Sequence, residues 1–221
     1  NENAEVWAVD FKQYPVNYTA TKKPIGSTYF DLKPRAGKYD HFANFPILPY
    51  RTETKGSRYP VAAIVGNWPR PGEGQPALLS HEDVVTFFHE FGHNMAALLA
   101  TAPYTSLTDG FRSDFVEAPS QMLENFVWQP SILKQISSNV QTGQPLPDAL
   151  IDKMVAARYV DDAYFTTRQI MYAETDMRYH SSGPHVDTTA VWDQLARTLT
   201  PMPMVPGSQP QASFGHLMGG Y

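Results

Sequence analysis

SHEDVVTFFHEFGHNMAALLA, Ser80 to Ala100, carries two histidines four residues apart, His89 and His93, with Glu90 directly after the first. On an α-helix at 3.6 residues per turn, the two imidazoles stand only about 40° apart around the axis, so both can reach one metal ion. Glu90 falls within about 100° of either, close enough to act on water at that ion and poorly placed to be a third ligand. Val84, Phe88, Phe91, Met95 and Leu98 gather within about 40° of a common direction on the other side, which predicts the buried face. Small residues beside the polar group (Thr86, Gly92, Ala96, Ala97) are expected to leave room for ion and substrate. Ser80 suits the N-cap, with Asp83 in the capping-box position.

His-Glu-x-x-His on a helix is the pattern of hydrolytic zinc sites. Its bland alternative is an amphipathic helix with incidental histidines. The residues downstream of the motif favour the metal. One large class of such sites takes a glycine and a third histidine shortly after the motif. Ala96 and Leu99 occupy those positions here, so that class is excluded. The other common arrangement takes a glutamate from a following helix. A helix expected from about Ser113 to Trp128 carries Asp114, Glu117, Gln121 and Glu124 on one stripe, with Phe115, Met122, Leu123 and Phe126 opposite. Pro119 should kink it or mark its first turn. Glu117 is the best third ligand, leaving a coordination position open as catalytic zinc requires. Glu124, two turns further on the same face, is placed to accept the second N–H of a ligand histidine.

Composition bounds the rest. The chain has 221 residues, enough for one substantial domain, and 42% hydrophobic with 18% charged residues is the balance of an ordinary globular protein. Net charge is −5 and no basic run exceeds Lys22-Lys23, which gives nucleic acid no electrostatic footprint. With no cysteine, disulfides and thiolate ligands are excluded, and His, Asp and Glu are the available ligands. No apolar run reaches membrane-spanning length and the first residues, NENAEVWAVD, do not read as a signal peptide. The compartment is not fixed: cytoplasmic is the default, with periplasmic and secreted locations open.

Residues 1–70 read as β-rich, with strands expected at Val6–Phe11, Thr28–Leu32, Phe42–Leu48 and Tyr59–Trp68, in an antiparallel or mixed sheet. Lys33–Gly37 and Thr54–Ser57 read as turns. Val61–Gly66 has small side chains on both faces, which suits equally a buried strand and an edge where a peptide pairs; on the second reading Ala63 and Gly66 contact substrate. Beyond the two helices already described, Pro147 to about His180 reads as one long helix or two joined ones, and Asp187–Thr200 as a shorter one. The fold class is thus α+β, predominantly helical, with a small sheet at the N-terminal end: residues 1–70 a β-rich subdomain flanking the site, residues 71–221 a helical metal-binding one, together one catalytic domain. Both ends look cut.

HEFGH, then DFVEAPSQMLEN, then FGHLMGGY, in this order and spacing, resemble the thimet oligopeptidase and neurolysin family, and YFDLKPRAGKYDH near the start is similar to a family segment. The resemblance implies a mostly helical zincin fold, one Zn²⁺ per chain and hydrolysis of short peptides in a deep channel. Carried over, His89, His93 and Glu117 match the ligands and Glu90 the general base. His216 and Tyr221, in a loop with Gly219 and Gly220, match residues that touch substrate and stabilise the oxyanion. Members of that family continue past Gly-Gly-Tyr and carry a long N-terminal helical region, so the remaining parts of the same enzyme are expected partners, and the chain alone is expected to bind zinc with weak or no turnover. A peptidyl-dipeptidase of the same family and a non-catalytic zinc-stabilised binding domain are the alternatives.

Overall fold

The structure is a computed structural model, and it describes residues 10–102, 104–108, 110–201 and 204–219. Among the described residues six strands come first: β1 (Lys12–Asn17), β2 (Pro24–Asp31), β3 (Ala43–Leu48), β4 (Arg51–Glu53), β5 (Gly56–Arg58) and β6 (Val61–Val65). Seven α-helices follow among the described residues: α1 (His81–Leu99), α2 (Ala118–Glu124), α3 (Pro130–Ile136), α4 (Asp148–Ala157), α5 (Asp162–Ser181), α6 (Thr188–Leu199) and α7 (His216–Gly219). The protein is therefore mixed α/β with a small sheet near its start. Among the described residues no helix is long and apolar enough to cross a membrane. Two compact units emerge, residues 1–151 and 152–221, so the sheet and α1 lie in the same unit.

The main sheet has the order β1-β2-β6-β3. It is mixed, because β2 and β6 run parallel while β1–β2 and β3–β6 are antiparallel. β4 and β5 form a separate hairpin across the turn expected at residues 54–57. The strand expected at Val6–Phe11 falls largely on residues 1–9, outside the described ones; Asp10 and Phe11 are not in a strand. β1 was not legible, since Lys12–Asn17 holds a proline and is mostly exposed, as an edge strand allows.

The pairing of β6 chooses between the two readings left open for Val61–Gly66. β6 is interior, paired on both sides, with Ala63 opposite Tyr29 on β2 and Phe45 on β3. Ala62, Ala63 and Ile64 are almost wholly buried. Of the two readings of Val61–Gly66, the buried strand holds, and Ala63 offers no free backbone for a peptide. Gly66 is also committed: its N–H donates to the Asp31 carbonyl and its own carbonyl accepts from Lys38 Nζ. The ring of Phe42 occupies the place of a side chain at Gly66, which is why glycine is needed there. The edge beside β6 is β3.

A buried charge cluster ties the ends of β2 and β6 to the loop that leads into β3. Asp31 takes two hydrogen bonds from the Arg35 guanidinium, at 2.8 and 2.9 Å, and Lys38 Nζ lies 2.9 Å from its carboxylate. Lys38 also donates to the carbonyls of Asp31 and Lys33. Burial pushes the Asp31 carboxyl up, but the Arg35 and Lys38 hydrogen bonds and charges outweigh it and hold it below its ordinary value.

In residues 152–221, α5 and α6 enclose a core of Met171, Trp192, Leu195 and Ala196, with Tyr172, Val191 and Phe214 packed against it. The stretch from Pro147 resolves as two helices, separated at Arg158–Asp161, where Asp161 adopts a left-handed backbone (φ 63°). Asp187 caps α6 by accepting from the Ala190 N–H.

Candidate metal centre

α1 begins as its sequence dictates. Ser80 and Asp83 complete a reciprocal capping box, the Ser80 side chain accepting from the Asp83 N–H and the Asp83 carboxylate from the Ser80 N–H. His81 fastens the first turn to the segment after α2, with Nε2 2.9 Å from the Val127 carbonyl and its ring edge-on to Trp128. The helix lies on the sheet through Phe87, which meets Phe30, Phe42 and Trp68, and through Leu98, which sits at Gly26. This stripe is rotated by about 50° from the one the apolar pattern singled out. Of that predicted stripe only Leu98 is buried; Val84, Phe88, Phe91 and Met95 are half-buried. The rotation brings Glu90 and Asn94 against the sheet edge and buries both.

α2 is shorter than the expected helix. Residues 113–117 form a turn, α2 starts at Ala118 with Pro119 in its first turn, and a 3₁₀ turn over Asn125–Trp128 ends it. Pro119 thus sets the boundary, as a proline without an N–H does in a first turn. Asp114 drops out of the acidic stripe, while Glu117, at the N-cap, and Glu124, at the last position, keep their common direction.

Gly92 lets the two helices meet. A Cβ there would stand 2.5 Å from Ser120 Cα and collide with the Pro119 carbonyl. Its role is to admit the α2 backbone rather than an ion or substrate. That close approach brings three ligand groups together. Glu117 Oε2 lies 3.1 Å from His89 Nε2 and 3.2 Å from His93 Nε2. One donor atom from each of His89, His93 and Glu117 falls within 4.8 Å of the others. Metal–ligand bonds of about 2.0–2.1 Å in a tetrahedron give donor–donor edges near 3.3 Å, so the three groups fit a small divalent ion.

Two of the three ligands, His89 and Glu117, are held from outside. His89 Nδ1 lies 2.7 Å from Glu124 Oε1, which makes Nδ1 the protonated nitrogen and turns the Nε2 lone pair towards Glu117. Glu117 is held by Ser120, wholly buried, whose hydroxyl lies 2.7 Å from Oε2 and 2.8 Å from the Glu117 carbonyl. Sequence reasoning missed Ser120; a serine three residues after a candidate ligand at a helix start was the available signal.

Glu90 is not part of this ligand set. It is 9% exposed and its Oε2 accepts from the main-chain N–H of Asn44 on β3, at 2.6 Å. Burial pushes its carboxyl above the ordinary value, with Glu117 adding to the push, against His89, the Asn44 N–H and His93. A carboxyl pushed up beside a candidate metal group takes up a proton more readily than an ordinary one.

The remaining predicted residues come late in the sequence, within residues 152–221. His216, on α7, belongs to residues 152–221, where its ring meets that of Phe214 at 5.8 Å. Gly219 ends α7 and is exposed; Gly220 and Tyr221 lie outside the described residues.

Comparison with known proteins agrees with this geometry. The whole chain, residues 1–221, matches the family described as Peptidase family M3. It is 37% identical over 222 residues to thimet-like oligopeptidase of Dictyostelium discoideum, covering 97% of this chain and 33% of that protein. It is also 37% identical to saccharolysin of Saccharomyces cerevisiae (99% of this chain, 32% of that one) and 34% identical to oligopeptidase A of Escherichia coli (100% and 33%). The chain thus spans about a third of the length of these relatives.

Proposed function

We propose that this chain, which belongs to peptidase family M3, is the metal-binding part of a zinc-dependent oligopeptidase with a zincin-like core. The single observation that carries the reading is the convergence of His89 Nε2, His93 Nε2 and Glu117 Oε2 beside a buried carboxylate that is not a ligand. The donor set of two imidazoles and one carboxylate, with no thiolate, suits Zn²⁺. When bound, zinc supplies Lewis-acid polarisation of a carbonyl and acidification of water.

The protein's own residues do the rest. Glu124 holds His89 in the tautomer that ligates, and Ser120 holds the ligating oxygen of Glu117. Glu90 accepts the proton of the attacking water and returns it to the leaving amine, which the upward push on its carboxyl favours. The outer edge of β3, from which the Asn44 N–H reaches Glu90, is the strand along which a short peptide is laid. His216 and Tyr221 are assigned as donors to the developing oxyanion, with Gly219 and Gly220 giving the loop its close approach, on the resemblance of their segment.

The reaction is peptide hydrolysis by an endopeptidase. A dipeptidyl-carboxypeptidase differs in needing a free substrate carboxylate, so cleavage of a peptide amidated at its C-terminus decides between them. In the complete polypeptide, Glu90→Gln keeps zinc, because Glu90 is no ligand, and lowers kcat by at least about a hundredfold, the usual worth of a general base. Zinc content by atomic absorption beside turnover of a quenched fluorescent peptide measures both. Unchanged hydrolysis in that variant would remove Glu90 from the mechanism.

A further inference from the structure

Asn94 comes directly after the second ligand histidine on α1 and has no solvent exposure at all. Its Nδ2 donates to the side-chain oxygen of Asn44 at 3.0 Å, and its own Oδ1 has no partner among the described residues. A buried amide oxygen without a partner costs stability that a leucine of similar shape would not. The chain keeps a costly group at this place, and its one hydrogen bond runs to the residue whose main-chain N–H holds Glu90. β3 is a sheet edge with β6 on one side only, and four of its six residues are exposed, so the sheet alone fixes its outer side weakly.

We propose that the Asn94–Asn44 amide pair is a latch that pins edge strand β3 to α1 and so fixes the N–H donor that orients Glu90. Asn94 is a positioning residue for the general base; it touches neither substrate nor metal group. The latch rests on the peptidase reading for its effect on turnover and on geometry alone for its existence. A helix that carries the ligands and a strand that carries the donor to the base must keep one relative position. An amide pair between them supplies direction, which apolar packing lacks.

The test is Asn94→Leu in the complete polypeptide. It removes the bond and the unpartnered oxygen while keeping the volume, so a purely structural Asn94 would leave kcat unchanged and hold or raise Tm. The latch requires kcat to fall by about ten- to a hundredfold, the cost of misplacing a catalytic group by an ångström or less, with KM and zinc content within about twofold of wild type. Asn44→Ala, which deletes the acceptor on the half-exposed strand and leaves the main-chain N–H in place, should lower kcat similarly, and the double variant should be no worse than Asn94→Leu alone. If Asn94→Leu fails to fold, Asn44→Ala carries the same test. Full kcat in either variant overturns the proposal, as does a loss explained by lost zinc. The Asn44 amide resonance separates this inference from the peptidase reading. A carboxylate-bound N–H resonates downfield, and Asn94→Leu should move it upfield in any polypeptide that folds, active or not. An unmoved resonance sinks the latch whatever the enzyme does.

Discussion

Ser120 and Glu124 each hold one member of the candidate metal group through a hydrogen bond, at the scale of one side chain. Ser120→Ala removes the 2.7 Å bond to Glu117 Oε2 and leaves the carboxylate free to rotate away from the imidazoles. Zinc affinity of the chain should fall by about ten- to a hundredfold, the usual effect of losing a group that orients a ligand. Competition with a chromophoric chelator measures it, and an unchanged Kd would show that Glu117 is held by other means. Glu117 and Glu124 were readable from spacing because two residues seven apart return to one helical face. Asn44 was not, because its role depends on which atoms another element presents to it; Ser120, whose partner is only three residues away, was a local signal left unread.

At the scale of elements, the site is a crossing of two helices, and Gly92 sets its closeness. In Gly92→Ala the new methyl group meets main-chain atoms of Pro119 and Ser120, which cannot rotate out of the way as a flexible side chain can. α2 must withdraw, and Glu117 and Glu124 with it. The variant should lose about 1–3 kcal/mol of stability, the range for overpacking, and bind zinc more weakly than wild type. Denaturant unfolding of the metal-free chain and a zinc titration check the two parts. In the sequence Gly92 reads as room for an ion and substrate, which is not what fills that space. A helical wheel shows that nothing protrudes there, but the α2 backbone in that space is a tertiary fact.

The Asp31 cluster works at the same scale, joining β2, β6 and the loop into β3. Its folded carboxyl sits below the ordinary value of 3.8, so the stability it contributes is fully present above about pH 4 and is lost as pH falls through the folded value. Asp31→Asn removes the carboxylate from a Lys38 side chain only 2% exposed and should cost of the order of 3 kcal/mol near neutrality. The deficit against wild type should shrink as the pH is lowered below 4. Urea midpoints measured from pH 7 to pH 3 test the sign. A constant deficit would place the effect in packing instead of charge.

At the scale of the whole molecule, all three candidate ligands and both residues that hold them lie in the unit of residues 1–151, while His216 lies in the unit of residues 152–221. The chain spans about a third of the length of its relatives. Metal binding and turnover should therefore separate. The 221-residue polypeptide by itself should bind one zinc ion yet hydrolyse peptides weakly or not at all, as measured by zinc stoichiometry beside peptide turnover on the same sample. Robust turnover by the verified chain would mean that these residues suffice for the reaction.

The amino-acid sequence by itself determined the helix Ser80–Ala100 to within a residue, its capping box, the pairing of His89 with His93, and the candidacy of Glu90, Glu117 and Glu124. Those features depend on local chemistry and helical period, which act within a few residues. The tertiary structure alone decided that β6 is interior and β3 the edge, that Gly92 admits a backbone, and that α1 turns its Glu90–Asn94 side to the sheet. Small side chains fit a buried strand and an edge equally well, and an apolar stripe does not say which partner it meets. Such choices are made only when distant elements compete for the same space.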